Sequence, residues 1–96
     1  MFDITMNGQG EVVVSGRLDA AQADTAQAFL DRIENGCVMD MAALDYISSA
    51  GLGVLLRTHK RLMGAGSGLE LVNVNPHIND IVSYSGFDKL FVIRTG

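Results

Sequence analysis

A chain of 96 residues, 48% hydrophobic and 19% charged, holds one small packed core and is too apolar to stay disordered. Its net charge of −4 argues against general nucleic-acid binding, which draws on a basic excess. No apolar run approaches the roughly 18 residues of a bilayer span, and a single cysteine, Cys37, excludes an internal disulfide and a cysteine-based metal cluster.

Phe2 to Met6 alternates loosely as a first strand, and Asn7-Gly8-Gln9-Gly10 supplies a tight turn into a hairpin. Glu11 to Leu18 follows, where the β-branched run Val12-Val13-Val14 predicts a strand buried on both faces. Asp19 is placed to cap a helix over about Ala20 to Glu34, with Ala26, Phe29, Leu30 and Ile33 on one face. Asn35-Gly36 reads as its left-handed stop. Cys37 to Met41 is a short central strand. The stretch from Leu44 then breaks into Ser48, Ser49, Gly51 and Gly53 and resumes as a helix over about Ser49 to Met63. Leu52, Leu55, Leu56, His59, Leu62 and Met63 share a face of that helix.

Gly64-Ala65-Gly66-Ser67-Gly68 is a break, and Leu69 to Val74 is a further strand. Pro76 opens a short helix through about Tyr84, Ser85-Gly86 ends it, and Phe91-Val92-Ile93 is a final edge strand. The order β-β-α-β-α-β-α-β predicts a single α/β domain over residues 1–96. Its sheet is mixed and mostly parallel, of about five strands, with helices packed on it and right-handed crossovers.

Several chemistries fail on spacing. Ser49 and Gly51 form half of a nucleophile elbow, but Ile47 stands where the first glycine belongs. His59 lies about 15 Å along the same helix and cannot serve Ser49 as a base. His77 is not excluded by spacing, yet the chain is short for a pocket with an oxyanion hole. Gly64, Gly66 and Gly68 precede a strand and lack the Gly-Lys-Ser/Thr of a phosphate loop, and Leu56 breaks the dinucleotide fingerprint begun by Gly51 and Gly53. Asp3, Asp19, Asp24, Asp40 and Asp45 are scattered without metal-ligand spacing. Arg57, His59, Lys60 and Arg61 read as a solvated face in the later part of a helix. The expectation is a non-enzymatic protein with no cofactor and no metal.

What remains is the helix start. It presents unpaired N–H groups and the positive end of the macrodipole, which suit a capping serine, a phosphate, or a serine that receives one. The small residues Ser48, Ser49, Ala50 and Gly51 leave the hydroxyls uncovered, as a kinase would require.

Tyr46-Ile47-Ser48-Ser49-Ala50-Gly51-Leu52-Gly53 resembles the signature of the STAS domain family of bacterial anti-sigma factor antagonists. That signature runs from a strand through Asp-Ser-Ser/Thr/Ala-Gly-Leu into a helix. Gly16-Arg17-Leu18-Asp19, Val38-Met39-Asp40-Met41 and Ser85-Gly86-Phe87-Asp88 are similar to further family motifs in the same order, so the resemblance covers nearly the whole chain. It implies a switch protein. The unmodified form binds an anti-sigma factor that is also a serine kinase of the histidine-kinase-like ATPase fold, and so frees a sigma factor. Phosphorylation ends the interaction, and a PP2C-type phosphatase reverses it. The phosphoacceptor falls on Ser49, with Ser48 as second choice because the usual preceding Asp is Ser48 here. Asp19, Ser48, Ser49, Ala50, Gly51, Leu52 and Gly53 are the expected partner-binding residues. The alternative is a scaffold or transporter-associated STAS domain that is never phosphorylated. The protein is further expected to be a free monomer, to bind neither nucleic acid nor membrane, and to be cytoplasmic, since Met1-Phe2-Asp3-Ile4 has no signal-peptide pattern.

Overall fold

Asn7 organises the first turn. Its side-chain oxygen accepts from the N–H groups of Gln9 and Glu11, and Gly10 takes a φ of 79°. The turn sets strand β1 (Asp3–Met6) antiparallel to β2 (Val12–Leu18). The chain continues through α1 (Ala23–Leu30), β3 (Cys37–Ile47), α2 (Ser49–Gly64), β4 (Leu69–Val74) and α3 (Pro76–Tyr84). A 3-10 turn at Phe87–Lys89 and β5 (Val92–Thr95) complete it. This computed structural model describes residues 1–90 and 92–95, with the backbone alone at residue 88. Phe91, expected in the last strand, lies outside the described residues. Among them the sheet runs β1-β2-β3-β4-β5, with every pair after the first parallel.

Strands that step across a sheet in one direction by right-handed crossovers carry their helices on one face. The burial pattern follows that rule. Val12, Val14 and Leu18 of β2 are buried with Met39 of β3 and Leu71 of β4, while Val13, Val38 and Val72 are only half-buried. The valine run is therefore not enclosed on both faces. Alternation puts Val13 on the side without helices.

Three helix expectations need correction. Asp19 caps a turn, its carboxylate accepting from the Ala21 N–H at 3.1 Å, and α1 begins only at Ala23. α1 ends at Leu30, well before Gly36, which is not left-handed. The buried face of α2 is Leu52, Val54, Leu55, Thr58 and Leu62, whereas Met63 is 57% exposed.

The basic cluster on α2 is not merely solvated. Arg57 Nε donates to Gln27 Oε1 and Arg61 Nη2 to the Leu30 carbonyl, tying α2 to α1. His59 Nδ1 accepts from the Leu69 N–H at 3.0 Å and pins the start of β4.

Cys37 is buried at the start of β3, and burial pushes its thiol up to about 11 from 9.0, with Arg61 opposing. The folded state therefore holds this proton longer than the unfolded chain does. Stability is whole below pH 9.0 and falls as pH rises to about 11, by at most about 1.4 kcal/mol per pH unit. Urea melts across that window are expected to show a shallower decline for Cys37→Ala than for wild type.

Candidate functional site

The site is built at the far end of β3. Among the described residues this strand pairs with β4 only through Asp40, and beyond that with β2 alone. Against β2 it carries two bulges. Val13 to Ser15 spans Asp40 to Ala43, and Gly16 to Arg17 spans Leu44 to Tyr46, one extra residue each time. The buried positions are consequently Cys37, Met39, Met41, Leu44 and Ile47, not a strict alternation. Asp40 Oδ1 accepts from the Ala42 N–H and shapes the first bulge.

Without a β4 partner, the second half of β3 needs another anchor. Asn75 provides it: Nδ2 donates to the Leu44 carbonyl at 2.9 Å, while Oδ1 accepts from the Ile78 N–H and caps α3. One side chain thus joins β3 to α3. The Asn-Pro pair at 75–76 signals the cap, but nothing local signals the reach to Leu44. Asn75→Ala is expected to lower stability by about 2 kcal/mol. Asn75→Asp keeps the cap acceptor but cannot donate to Leu44, so its denaturation midpoint should fall between the two.

Ser48 turns the chain from strand to helix. Its N–H donates to the Leu18 carbonyl at 2.9 Å, and its backbone is extended at φ −92° and ψ 176°. Its Oγ accepts from the Gly51 N–H at 3.3 Å, so Ser48 is the helix cap. Ser49, the first residue of α2, is exposed, and its hydroxyl has no hydrogen-bond partner among the described residues. Ala50 and Gly53 are half-buried, whereas Gly51 and Leu52 are buried and shape the site from below. Gly51 sits so close to the ends of β2 and β3 that a Cβ would stand 2.7 Å from both the Leu18 carbonyl oxygen and Ile47 Cγ1. Asp19 follows Leu18, whose carbonyl anchors Ser48, so its position is tied to the helix start through the backbone.

Beside Ser49 lies a shallow cleft of about 370 Å³ between the start of α2 and the end of α3, walled by Leu52, Ile81, Tyr84 and Ser85. Tyr84 is 92% exposed. Tyr46 also lines the cleft, and the Arg17 guanidinium sits 4.4 Å from its ring centroid. Among the described residues no acidic, basic or imidazole side chain lines the cleft. The α3 wall escaped the sequence reading, because Ile81, Tyr84 and Ser85 reach the serines only through the fold. His59 is engaged at β4, away from the cleft, and His77 is exposed on α3 outside its lining. Among the described residues no three His, Cys, Asp or Glu side chains converge as a metal site, and no helix is long and apolar enough to cross a membrane.

The sequence that builds this sheet and capped helix start matches the STAS domain family over residues 4–95. The chain belongs to the STAS family. BtrV of Bordetella bronchiseptica, named as an anti-sigma factor antagonist, is 38% identical over 82 residues, or 85% of this chain and 70% of its own length. A Thermotoga maritima crystal structure described as an anti-sigma factor antagonist superposes with a TM-score of 0.80. It is 19% identical and covers 100% of this chain and 87% of the other. The phosphorylated form of Bacillus SpoIIAA superposes at 0.68 with 19% identity, over 99% and 92% of the two chains. At these identities the two structures speak for the STAS fold alone.

Proposed function

We propose that this STAS domain is an anti-sigma factor antagonist. It binds its partner through the start of α2 and the adjoining α3 wall, and phosphorylation of Ser49 switches that binding off. The observation that carries the reading is the division of labour between two neighbouring serines. Ser48 is committed to the cap, and Ser49 is exposed one residue later. The name of BtrV, at 38% identity, supports the antagonist role.

The physics of a phosphate on Ser49 fits a switch at the surface. A phosphoserine carries about −1.5 to −2 charges. The N-terminus of α2 favours that charge by roughly 0.3–2 kcal/mol, so the fold survives modification. Among the described residues no cation lines the cleft, and the nearby Arg17 guanidinium is held over the Tyr46 ring. Desolvating a dianion there under a docked partner opposes binding by several kcal/mol. The partner that fits is an anti-sigma factor with serine kinase activity of the histidine-kinase-like ATPase fold, and a PP2C-type phosphatase resets the serine.

The test is incubation with the cognate kinase and ATP, followed by mass spectrometry of the peptide spanning Tyr46 to Arg57. One phosphate on Ser49 is expected, absent from Ser49→Ala and retained in Ser48→Ala. Binding without any phosphate under all conditions would favour the unmodified scaffold reading.

A further inference from the structure

β1 forms one end of the sheet, and among the described residues only β2 pairs with it. The hairpin decides which of its backbone groups are free. The Asn7 N–H donates to the Glu11 carbonyl at 2.9 Å, so the bonded pairs of the antiparallel ladder recur at Thr5↔Val13 and Asp3↔Ser15. Ile4 and Met6 therefore turn their N–H and C=O groups outward. Their side chains share the helix-covered face with Val12 and Val14. Between this edge and α1 runs a trench lined by the apolar Phe2, Ile4, Met6, Phe29 and Ile33 together with the polar Asp3, Gln22, Thr25 and Arg32. The span from Ile4 to Met6 has no lysine, proline or charge to repel an added strand.

We propose that the trench is covered by a second copy of this chain, joined through β1 about a twofold axis at Thr5. Two separate features satisfy that one axis. Antiparallel pairing centred on Thr5 sets Ile4 of each copy against Met6 of the other, closing two reciprocal pairs of main-chain hydrogen bonds. Thr5 meets Thr5, and Asp3 meets Asn7, so no like charges face each other.

The second feature is on α1 and the turn beyond it. Asp24 and Ala28 are exposed on α1, and Arg32 is exposed in the turn beyond its end, with its guanidinium 5.1 Å from the Phe29 ring centroid at the trench. No ion pair among the described residues engages Asp24 or Arg32. The series reads negative, small, positive. α1 runs in the direction of β1, since Gln22 and Thr25 line the trench with Phe2 and Ile4, and Ile33 lines it with Met6. The axis that inverts β1 thus inverts α1 as well. Asp24 of each copy is set toward Arg32 of the other, and the small Ala28 pair at the centre lets the helices approach. An acidic or a basic peptide would complement one end of this series, whereas a second copy complements both. The trench shares no lining residue with the cleft beside Ser49, so the dimer leaves that cleft open. The dimer stands against the free monomer expected from the sequence.

Sedimentation velocity on the full chain, from micromolar to submillimolar concentration, tests the proposal. The wild-type mass is expected to rise from one chain toward two. Met6→Pro removes an N–H that the monomer leaves facing solvent, and it should raise the dissociation constant about tenfold or more. Asp24→Arg and Arg32→Asp alone should each weaken association about tenfold, and the double exchange should restore it to within about threefold. Circular-dichroism melts of the charge variants check that the fold is intact, which keeps the test independent of Met6→Pro. A wild type that stays one chain at every concentration overturns the proposal. So does a dimer indifferent to the charge reversals, or a double exchange that fails to restore it.

Discussion

Ser49→Asp is expected to weaken binding to the cognate anti-sigma factor at least a hundredfold, about 3 kcal/mol, while leaving the domain folded. The loss comes from a fixed negative charge that must be desolvated against a cleft with no cation in its lining among the described residues. The fold is spared because the Ser49 hydroxyl holds nothing in place, and because a negative charge in the first turn of a helix is favourable by a few tenths to about 1 kcal/mol. Ser49→Ala should bind as wild type does and become indifferent to the kinase. Isothermal titration gives the affinity, and a thermal melt of the same sample gives the fold. Equal affinity for Ser49→Asp and wild type would remove this surface from the interface. A melt lowered by many degrees would mean that the charge acts through unfolding.

Gly51→Ala is expected to be strongly destabilising. Its Cβ would lie 2.7 Å from a backbone oxygen at Leu18 and from Ile47 Cγ1, and neither yields without moving a strand end. Overpacking of this kind destabilises by about 1–3 kcal/mol or more. In a domain of this size that lowers the melting midpoint by roughly 5–20 °C. Gly53→Ala, two residues later, is the internal control. There the nearest atom is Arg57 Nη1 at 3.3 Å, the far end of a flexible side chain. Removing a helical glycine is favourable by roughly 0.5–1 kcal/mol, so this variant should melt at or above wild type. Equal melts for the two variants would refute the close packing of α2 on Leu18.

The order of elements and the helix start at Ser49 were legible because each depends on neighbours in sequence: glycines and asparagine in turns, Pro76 at a first turn, β-branched runs in strands. What depends on distant partners was not. The sequence reads as a short strand from Cys37 to Met41, with a separate stretch from Leu44, because the alternation of buried positions does not carry across Ala42 and Ala43. The strand nevertheless continues to Ile47, because the bulges absorb those residues and Asn75 holds Leu44 from across the fold. α1 was read too long at both ends. Asp19 makes a turn in place of a helix cap, and the chain beyond Leu30 leaves the helix before Asn35-Gly36. The buried face of α2 shifted toward Val54 and Thr58, because α1 packs against it and Gln27 bonds to Thr58. At the site, the serines and glycines were visible in the sequence, but the α3 wall with its exposed Tyr84 was not.

The two bulges in β3 are the places where this strand tolerates a change of length. Strand residues alternate between faces, so a one-residue change in a regular stretch exchanges the facings beyond it, whereas a bulge holds one residue that the partner strand does not match. Deleting Ala42 at the first bulge would leave Leu44 opposite Gly16 and Ile47 opposite Leu18, both still facing inward, and Ser48 still at the start of α2. Deleting Asp45 at the second would do the same for Ile47. A viable variant of the site should therefore lose single residues at these two places before it loses any from the regular pairing around them.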